Sequence, residues 1–195
     1  VRSRRQRQMC IRDSTYPMSG LADLSLGVDV AVISTHNVTT CVVTTAGGAR
    51  CWGYGNQGRL GTGATAEVTD ASTVTDINLI TTGSDQIAAK IVAGGGSSCV
   101  VHTNGTVKCF GEAVNGALGN GNQTDTGAND PDDTYPWHNF GSPVVDIAGG
   151  AQNATDHYCA LTASGEIYCW GEGSSGGLGY SATDDIGDNE LSSDL

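Results

Sequence analysis

An eleven-residue block occurs three times in this chain of 195 residues, and it limits the possible folds more than any other feature. The copies read CWGYGNQGRLG, CFGEAVNGALG and CWGEGSSGGLG, and they begin at Cys51, Cys109 and Cys169. They align without gaps at spacings of 58 and 60 residues. Repeats of this length are typical of propellers and solenoids, in which each unit buries its apolar surface against its neighbours.

Each copy of the block has the same order of residue types. A cysteine is followed by an aromatic residue and a glycine, a second glycine comes five residues later, and Leu-Gly ends the block. We interpret these glycines as turn residues and the others as packing residues. The repeat-motif positions are Trp52, Gly53, Gly58, Leu60, Gly61, Phe110, Gly111, Gly116, Leu118, Gly119, Trp170, Gly171, Gly176, Leu178 and Gly179.

A second cysteine lies ten residues before each block, and the residues between the two read as a β-hairpin. Pairing each cysteine with its mate leaves three-residue loops that all end in glycine: 45–47, 103–105 and 163–165. A type I turn closed by a left-handed residue requires glycine at that place. A two-residue Asn104-Gly105 turn would shift the register by one and separate the cysteines onto opposite faces.

This register places each cysteine pair at a non-hydrogen-bonded position, where Cα atoms are about 4.5 Å apart and a disulfide fits. We predict three cross-strand disulfides, although the residues leave open three pairs of buried free thiols. A zinc site is less favoured because there is no Cys-x-x-Cys spacing. The predicted disulfide cysteines are Cys41, Cys51, Cys99, Cys109, Cys159 and Cys169, which leaves Cys10 over.

The predicted strands are apolar on both faces. Val101 and Val107 share a face with the second cysteine pair, while Val100 and Phe110 lie on the other face. Such strands must be covered on both sides, and stacked blades of a propeller provide that cover. Helix formers are sparse among the 195 residues and glycine occurs 29 times. The fold class is therefore predicted to be all-β.

The pattern from the first cysteine of each pair to Leu-Gly resembles the regulator of chromosome condensation repeat, most closely its cysteine-bearing bacterial variants. The resemblance covers residues 29–190, although Phe110 stands where the family usually has tryptophan. It implies a β-propeller with one blade of four antiparallel strands per repeat, usually seven blades to a ring. Three repeats cannot close a ring of 4–8 blades, so we expect a fragment of a seven-bladed ring whose further blades belong to the full-length chain.

The repeats divide the chain into five segments. Residues 1–14 share nothing with the rest and look like translated library-adapter sequence, so we interpret them as a non-native or disordered tail. The first repeat covers 15–61, the second 62–119 and the third 143–195. Residues 120–142 are an acidic insertion that we expect to form a surface loop.

Charge and hydropathy exclude two classes of partner. The formal net charge is −12, and five of the nine basic residues lie within the first twelve positions. The remaining chain is strongly acidic and would repel a phosphate backbone, so nucleic acid is disfavoured. No apolar run reaches the length of a membrane-spanning helix.

Two motifs of enzymes and nucleotide-binding proteins occur in contexts that do not suit them. A dinucleotide site needs its G-x-G-x-x-G motif before a helix, but residues 53–58 run into Arg59-Leu60-Gly61. A hydrolase elbow at 173–177 would need a later histidine, and the last histidine is His157. We predict no catalytic residues, no cofactor and no metal site, with calcium binding by the acidic loops left open.

These observations favour a non-catalytic protein-binding module of a secreted or cell-surface protein. Disulfides indicate an oxidising compartment, and the partner is an unidentified protein. The resemblance also permits a guanine-nucleotide exchange factor for a small GTPase or an architectural repeat of a large adhesin-like protein. Within the acidic loop, Tyr135 and Trp137 are the predicted partner-binding residues because aromatic side chains anchor interfaces.

Overall fold

Three antiparallel sheets of three strands each make up the described part of the chain, with the strands of each sheet in chain order. The computed structural model describes residues 22–77, 87–127, 138, 140–152 and 155–190. Blade 1 contains β1 (Val30–His36), β2 (Thr39–Thr44) and β3 (Ala49–Gly53); blade 2 contains β4 (Ala88–Ala93), β5 (Ser97–His102) and β6 (Val107–Gly111); blade 3 contains β7 (Val144–Gln152), β8 (Thr155–Thr162) and β9 (Ile167–Gly171).

The helices of the described residues are single 3₁₀ turns. They cover Asn56–Gly58, Ala71–Thr73, Val114–Gly116 and Ser174–Gly176. No helix in these ranges is long and apolar enough to cross a membrane. Three of these turns follow the third strand of a blade, so the G-x-G-x-x-G segment at 53–58 leads into one 3₁₀ turn and not into an α-helix.

The predicted all-β propeller fold is confirmed, but the predicted count of four strands per blade is wrong for the described residues. Single-residue bridges stand where a fourth strand would pair with the third: Gly53 with Val68, Gly111 with Thr126 and Gly171 with Ile186. The chain turns away directly after them. Gly127 and Gly187 have φ of 84° and 96°, and Asp70 caps the turn Ala71–Thr73. These conformations end the extended backbone that a strand needs.

The hairpin loops have the predicted length and register. Cys41 pairs with Cys51, Cys99 with Cys109 and Cys159 with Cys169. In the first loop the Thr44 N–H donates to the Gly48 carbonyl at 2.8 Å, and Gly47 has φ of 87°. The other two loops repeat this arrangement, so a glycine at the third loop position sets the register of all three hairpins.

The two faces of each blade have different partners. We call the face with the cysteine pair the disulfide face and the opposite face the covering face. The covering face of blade 2 packs on the disulfide face of blade 1, with Ile91, Val100 and Phe110 against Cys41, Val43, Ala49 and Cys51. The covering face of blade 3 packs on blade 2 in the same way, with Ile147, Tyr158, Ala160 and Trp170 against Cys99, Val101, Val107 and Cys109. The hydrophobic core therefore lies between the blades.

The first strands of the three blades lie side by side, and β4 contacts both β1 and β7. Each first strand has a bulge near its start, between Val30 and Val32, between Ala88 and Lys90, and between Val144 and Asp146. Ala31, Ala89 and Val145 are the extra residues. A bulge bends its strand and turns a side chain away from the regular alternation.

Candidate functional site

The predicted cysteine pairs lie at disulfide distance in all three blades. The S–S distances are 2.09, 2.04 and 2.10 Å in blades 1, 2 and 3. The first two pairs are buried in the interfaces between blades. The predicted partner-binding residues Tyr135 and Trp137 lie outside the described residues, as does most of the acidic insertion, and they stay a prediction.

The repeat-motif residues serve packing and turns. Leu60, Leu118 and Leu178 are buried, and all nine motif glycines have a positive φ, between 64° and 115°. The Trp170 indole Nε1 donates to the Ala117 carbonyl at 3.1 Å, so this aromatic ring joins blade 3 to blade 2. Phe110 has no such donor and contributes only its apolar surface to the first interface.

A buried carboxylate links blade 3 to blade 2. Asp156, at the start of β8, is 1% exposed. Its carboxylate accepts from the backbone N–H groups of Gly95, Gly96 and Ser97 at 2.6, 3.0 and 2.8 Å. Successive N–H groups that converge in this way form an anion-binding nest. Here the anion is a side chain of the neighbouring blade.

Two hydroxyl groups extend this contact. Ser97 Oγ donates to Asp156 at 2.5 Å, and the Tyr158 hydroxyl lies 2.9 Å from Ser97 Oγ. Because the serine has one hydrogen and gives it to the carboxylate, Tyr158 donates to Ser97. Burial raises the pKa of Tyr158 well above its ordinary value, and the charge on Asp156 raises it further. The phenol therefore keeps the proton that this bond requires.

The same glycine turn is held from blade 1. Arg59 is buried, and its Nη1 donates to the Gly95 carbonyl at 2.5 Å. Its Nε and Nη2 donate to the Asn56 carbonyl at 3.0 Å and to Gln57 Oε1 at 2.7 Å. Glu112 Oε2 lies 4.0 Å from the guanidinium. Burial raises the pKa of Glu112, and the positive charge of Arg59 opposes that rise.

The peptide groups of Gly95 thus join three blades, and we call Arg59, Gly94–Ser97 and Asp156 the inter-blade anchor. Glycine is required at position 94, because a Cβ there would lie 2.4 Å from the hydroxyl of the buried Tyr158. Sequence reasoning missed the anchor. Its signal was the Gly94-Gly95-Gly96 run, together with an aspartate at 156 where the other repeats have Val38 and Gly96.

Substitution of Asp156 tests the anchor. We expect Asp156→Ala to lower the free energy of unfolding by about 3 kcal/mol, because three buried N–H groups lose their acceptor. Chemical denaturation measures the loss. Asp184→Asn, which removes an exposed carboxylate from the same blade, is the control and should change stability by less than about 0.5 kcal/mol. Equal effects of the two substitutions would contradict the role of the anchor.

An aromatic cluster fills the second blade interface. His138, Phe140, Tyr158, Tyr168 and Trp170 stack with ring centroids 4.9–6.3 Å apart. His138 is buried, and its Nε2 lies 2.7 Å from the Leu118 carbonyl. Burial lowers the pKa of His138 from 6.5 to about 4, although the bond to Leu118 opposes this. The ring is therefore neutral at pH 7 and donates from Nε2.

Stability should depend on pH through His138. The unfolded histidine takes up a proton near pH 6.5 and the folded one only near pH 4, so the stabilisation is complete above pH 6.5 and lost as the pH falls toward 4. The loss amounts to about 3 kcal/mol. Unfolding measured from pH 7 to pH 4 should show a flatter profile for His138→Gln than for the parent. Val114→Ala, a control without a titratable group on an exposed 3₁₀ turn, should keep the parent's slope.

An apolar cleft of about 490 Å³ lies where the three bulged first strands approach one another. We call it the bulge cleft. Lys90 lies at the edge of the cleft, and its ammonium group donates a hydrogen bond to the Asp146 carboxylate. This bond lowers the pKa of Asp146. The lining residues are Val32, Ala89, Lys90, Val101, His102, Thr103, Val144 and Val145. A bulge beside a hollow is a common arrangement at binding sites.

The described part of the chain carries an excess of negative charge. The described residues contain four lysine and arginine side chains against fifteen carboxylates. Arg59 and Lys108 are buried, and Arg50 is held by Asp76 at 2.6 Å. A protein that approaches this surface therefore meets a negative potential, which favours a partner of positive charge.

The acidic residues that the structure describes do not gather into a metal site. Within the ranges that the structure describes, no three histidine, cysteine, aspartate or glutamate side chains are placed to hold a metal ion. Asp125 and Asp185 instead accept from the backbone N–H groups of Ala113 and Gly173, each at 2.9 Å. These two carboxylates hold the turn after the third strand in blades 2 and 3.

Comparison with known proteins agrees with this geometry. Residues 144–176 match the model of the Regulator of chromosome condensation (RCC1) repeat. The match covers β7 to β9. Blade 3 is thus one such repeat, and the resemblance predicted from the motif is confirmed.

Two curated relatives contain segments that are similar to this chain. The chain is 33% identical over 148 residues to the human E3 ubiquitin-protein ligase HERC2, which covers 75% of this chain and 3% of the ligase. It is 28% identical over 141 residues to the Protein RCC2 homolog of Danio rerio, which covers 72% of this chain and 26% of that protein. The chain therefore spans a small part of each of these relatives.

Solved structures share the fold. Human WBSCR16 superposes with a TM-score of 0.64 at 22% identity, over 83% of this chain and 39% of that chain. Yeast RCC1 (Prp20), in its complex with Kap60, gives a TM-score of 0.62 at 17% identity, over 83% of this chain and 36% of that chain. At these identities the likeness extends to the fold alone.

Proposed function

We propose that this chain is a non-catalytic protein-binding module of a secreted or cell-surface protein, and that its partner docks over the bulge cleft. The observation that carries the proposal is the cleft itself. It is apolar, it draws residues from all three blades, and its walls are strands held by the inter-blade anchor. Rigid sheets present such a surface at little cost in conformational entropy on binding.

The rim of the cleft has the composition of a docking surface. Val145 in its lining is exposed, and the Lys90–Asp146 ion pair lies at its edge. An apolar centre with a charged rim suits a protein surface better than a small polar metabolite. The excess of carboxylates over the described residues as a whole favours a basic partner.

The secreted location rests on the disulfides. Three hairpins of the same design place their cysteines at disulfide distance, and two of these pairs lie in the blade interfaces. Such bridges persist in oxidising compartments and are rare in the cytosol. Further blades of the same kind in the full-length chain are part of this proposal.

Thiol titration tests the compartment. In the native protein purified without reductant we expect at most one reactive thiol, from Cys10, whereas unfolding with reductant should release all seven. Unfolding without reductant is the control, because it separates buried free thiols from disulfides. Six further thiols in that control would contradict the secreted location and favour the intracellular exchange-factor alternative.

Substitutions in the cleft test the binding surface. Bead-bound chain would be used to capture proteins from extracellular fluid, and the captured proteins would be quantified by mass spectrometry. Val145→Asp and Ala89→Asp place a carboxylate on the apolar lining and should each reduce capture of a specific partner about tenfold or more. Val114→Asp, on an exposed 3₁₀ turn outside the cleft, should leave it unchanged. Undiminished capture by both cleft variants would exclude the cleft as the binding surface.

A further inference from the structure

Four Asn-x-Thr tripeptides occur in the chain, and each has the sequence that an N-linked glycan requires in a secreted protein. They begin at Asn37, Asn104, Asn122 and Asn153, of which Asn153 lies outside the described residues. A glycan is bulky and hydrophilic, so a folded chain holds one best where the asparagine is at the surface and its side-chain nitrogen makes no hydrogen bond. The three described tripeptides differ in these respects.

Asn104 meets both requirements. It is the middle residue of the hairpin loop 103–105 in blade 2, and it is exposed. Its Oδ1 accepts from the Thr106 N–H at 3.0 Å and from Thr106 Oγ1 at 2.7 Å, and its Nδ2 donates no hydrogen bond within the described part of the chain. A glycan replaces one hydrogen on Nδ2 and leaves Oδ1 unchanged, so both bonds to Thr106 survive the modification.

The fold keeps this loop position at the surface. The Val144 N–H donates to the Gly105 carbonyl at 2.9 Å, which holds the residue after Asn104 against blade 3. The middle residues of the other two hairpin loops, Ala46 and Ser164, are exposed as well. Exposure is therefore a property of the loop in all three blades, and Asn104 is the asparagine that occupies it.

The other two described tripeptides are less suitable. In the first, Thr39 is 2% exposed and its hydroxyl is buried, so the folded chain hides part of the Asn37 tripeptide. In the other, Asn122 is half-buried, and its Nδ2 donates to the Asn120 carbonyl at 3.4 Å. Gly121, the residue before it, donates from its N–H to the third repeat. A sugar on Asn122 would therefore crowd a contact between repeats.

We propose that Asn104 is an N-glycosylation site, with a lipid-linked oligosaccharide diphosphate as the sugar donor. Nδ2 attacks the anomeric carbon of the sugar, a C–N bond forms, and the bond from that carbon to the diphosphate oxygen breaks. The bonding electrons leave with the diphosphate, and the nitrogen loses one proton. The inference rests on the secreted location under the proposed function. Thr103, one residue earlier, lines the bulge cleft, so the glycan would stand next to the proposed docking surface.

The test is secretion of the full 195-residue chain from eukaryotic cells behind a cleavable signal peptide. Digestion with a peptide N-glycosidase in heavy-oxygen water converts each glycosylated asparagine into a labelled aspartate, which mass spectrometry locates. We expect the label at Asn104 in most secreted molecules and much less of it at Asn122. An unlabelled Asn104 would overturn the proposal. So would equal labelling of Asn122, because exposure and an unbonded amide nitrogen would then not select the site.

Thr106 provides a matched pair of variants. Thr106→Ala removes the hydroxyl that the tripeptide requires and should abolish the glycan, whereas Thr106→Ser keeps a hydroxyl and should retain it. Circular dichroism checks that the two variants fold alike. Loss of the glycan from neither variant would contradict the assignment to Asn104.

Thiol titration of the same secreted sample separates this inference from the proposed function. Intact disulfides together with an unmodified Asn104 would overturn the glycan and leave the secreted location standing. Free cysteines in a protein that carries the glycan would instead contradict the disulfide argument for the secreted location, while Asn104 would keep its assignment as the acceptor.

Discussion

The turn at Gly94–Ser97 is the point on which the arrangement of the three blades depends. A blade interface made only of aliphatic and aromatic side chains would tolerate small sliding movements, because apolar contact has no direction. Hydrogen bonds to a single residue, Gly95, remove that freedom. Arg59 donates to the Gly95 carbonyl and Asp156 accepts from the Gly95 N–H. Blades 1 and 3 are therefore both fixed to the same residue of blade 2. The buried charges are acceptable there because each is surrounded by groups that satisfy it.

The two blade interfaces use the same register positions but fill them with side chains of different size. Cross-strand partners on the covering face are Ala93 with Ser98 in blade 2, but Gly149 with Tyr158 in blade 3. A Cβ on Gly149 would lie 2.3 Å from the Tyr158 ring, so the large residue requires the smallest one opposite. Close packing enforces such compensation, because interiors have few voids and little room for overlap. The Tyr158 hydroxyl also bonds to Ser97, which donates to Asp156. The pairing of Gly149 with Tyr158 therefore also lets blade 3 take part in the anchor.

Local features of the fold could be predicted from the sequence, and contacts between distant residues could not. The hairpin register followed from the cysteine spacing and from glycines at the third loop position, since both constraints act within about ten residues. The predicted number of strands per blade was too high because the backbone turns after one bridge, at Gly127 and Gly187. The family pattern does not show this turn. The contact of Asp156 with Gly95 joins residues 61 apart. Only the run of three glycines and the aspartate at 156 pointed to it, and neither feature identifies its partner.

The roles of the acidic residues follow from the same distinction between local and distant contacts. From composition alone, every carboxylate would be expected at the surface. Asp156 is buried, however. Asp125 and Asp185 stabilise turns by accepting from the N–H groups of Ala113 and Gly173. A carboxylate that accepts backbone N–H groups is an element of structure, and its charge is largely neutralised by those dipoles. What remains to act on a partner is the exposed carboxylates and the few cations among them. Lys90 lies at the bulge cleft, where the first strands of all three blades meet, but its charge is paired with Asp146. The apolar lining of the cleft, rather than the total charge, is therefore the feature on which we base the proposal that a partner docks at this end of the blades.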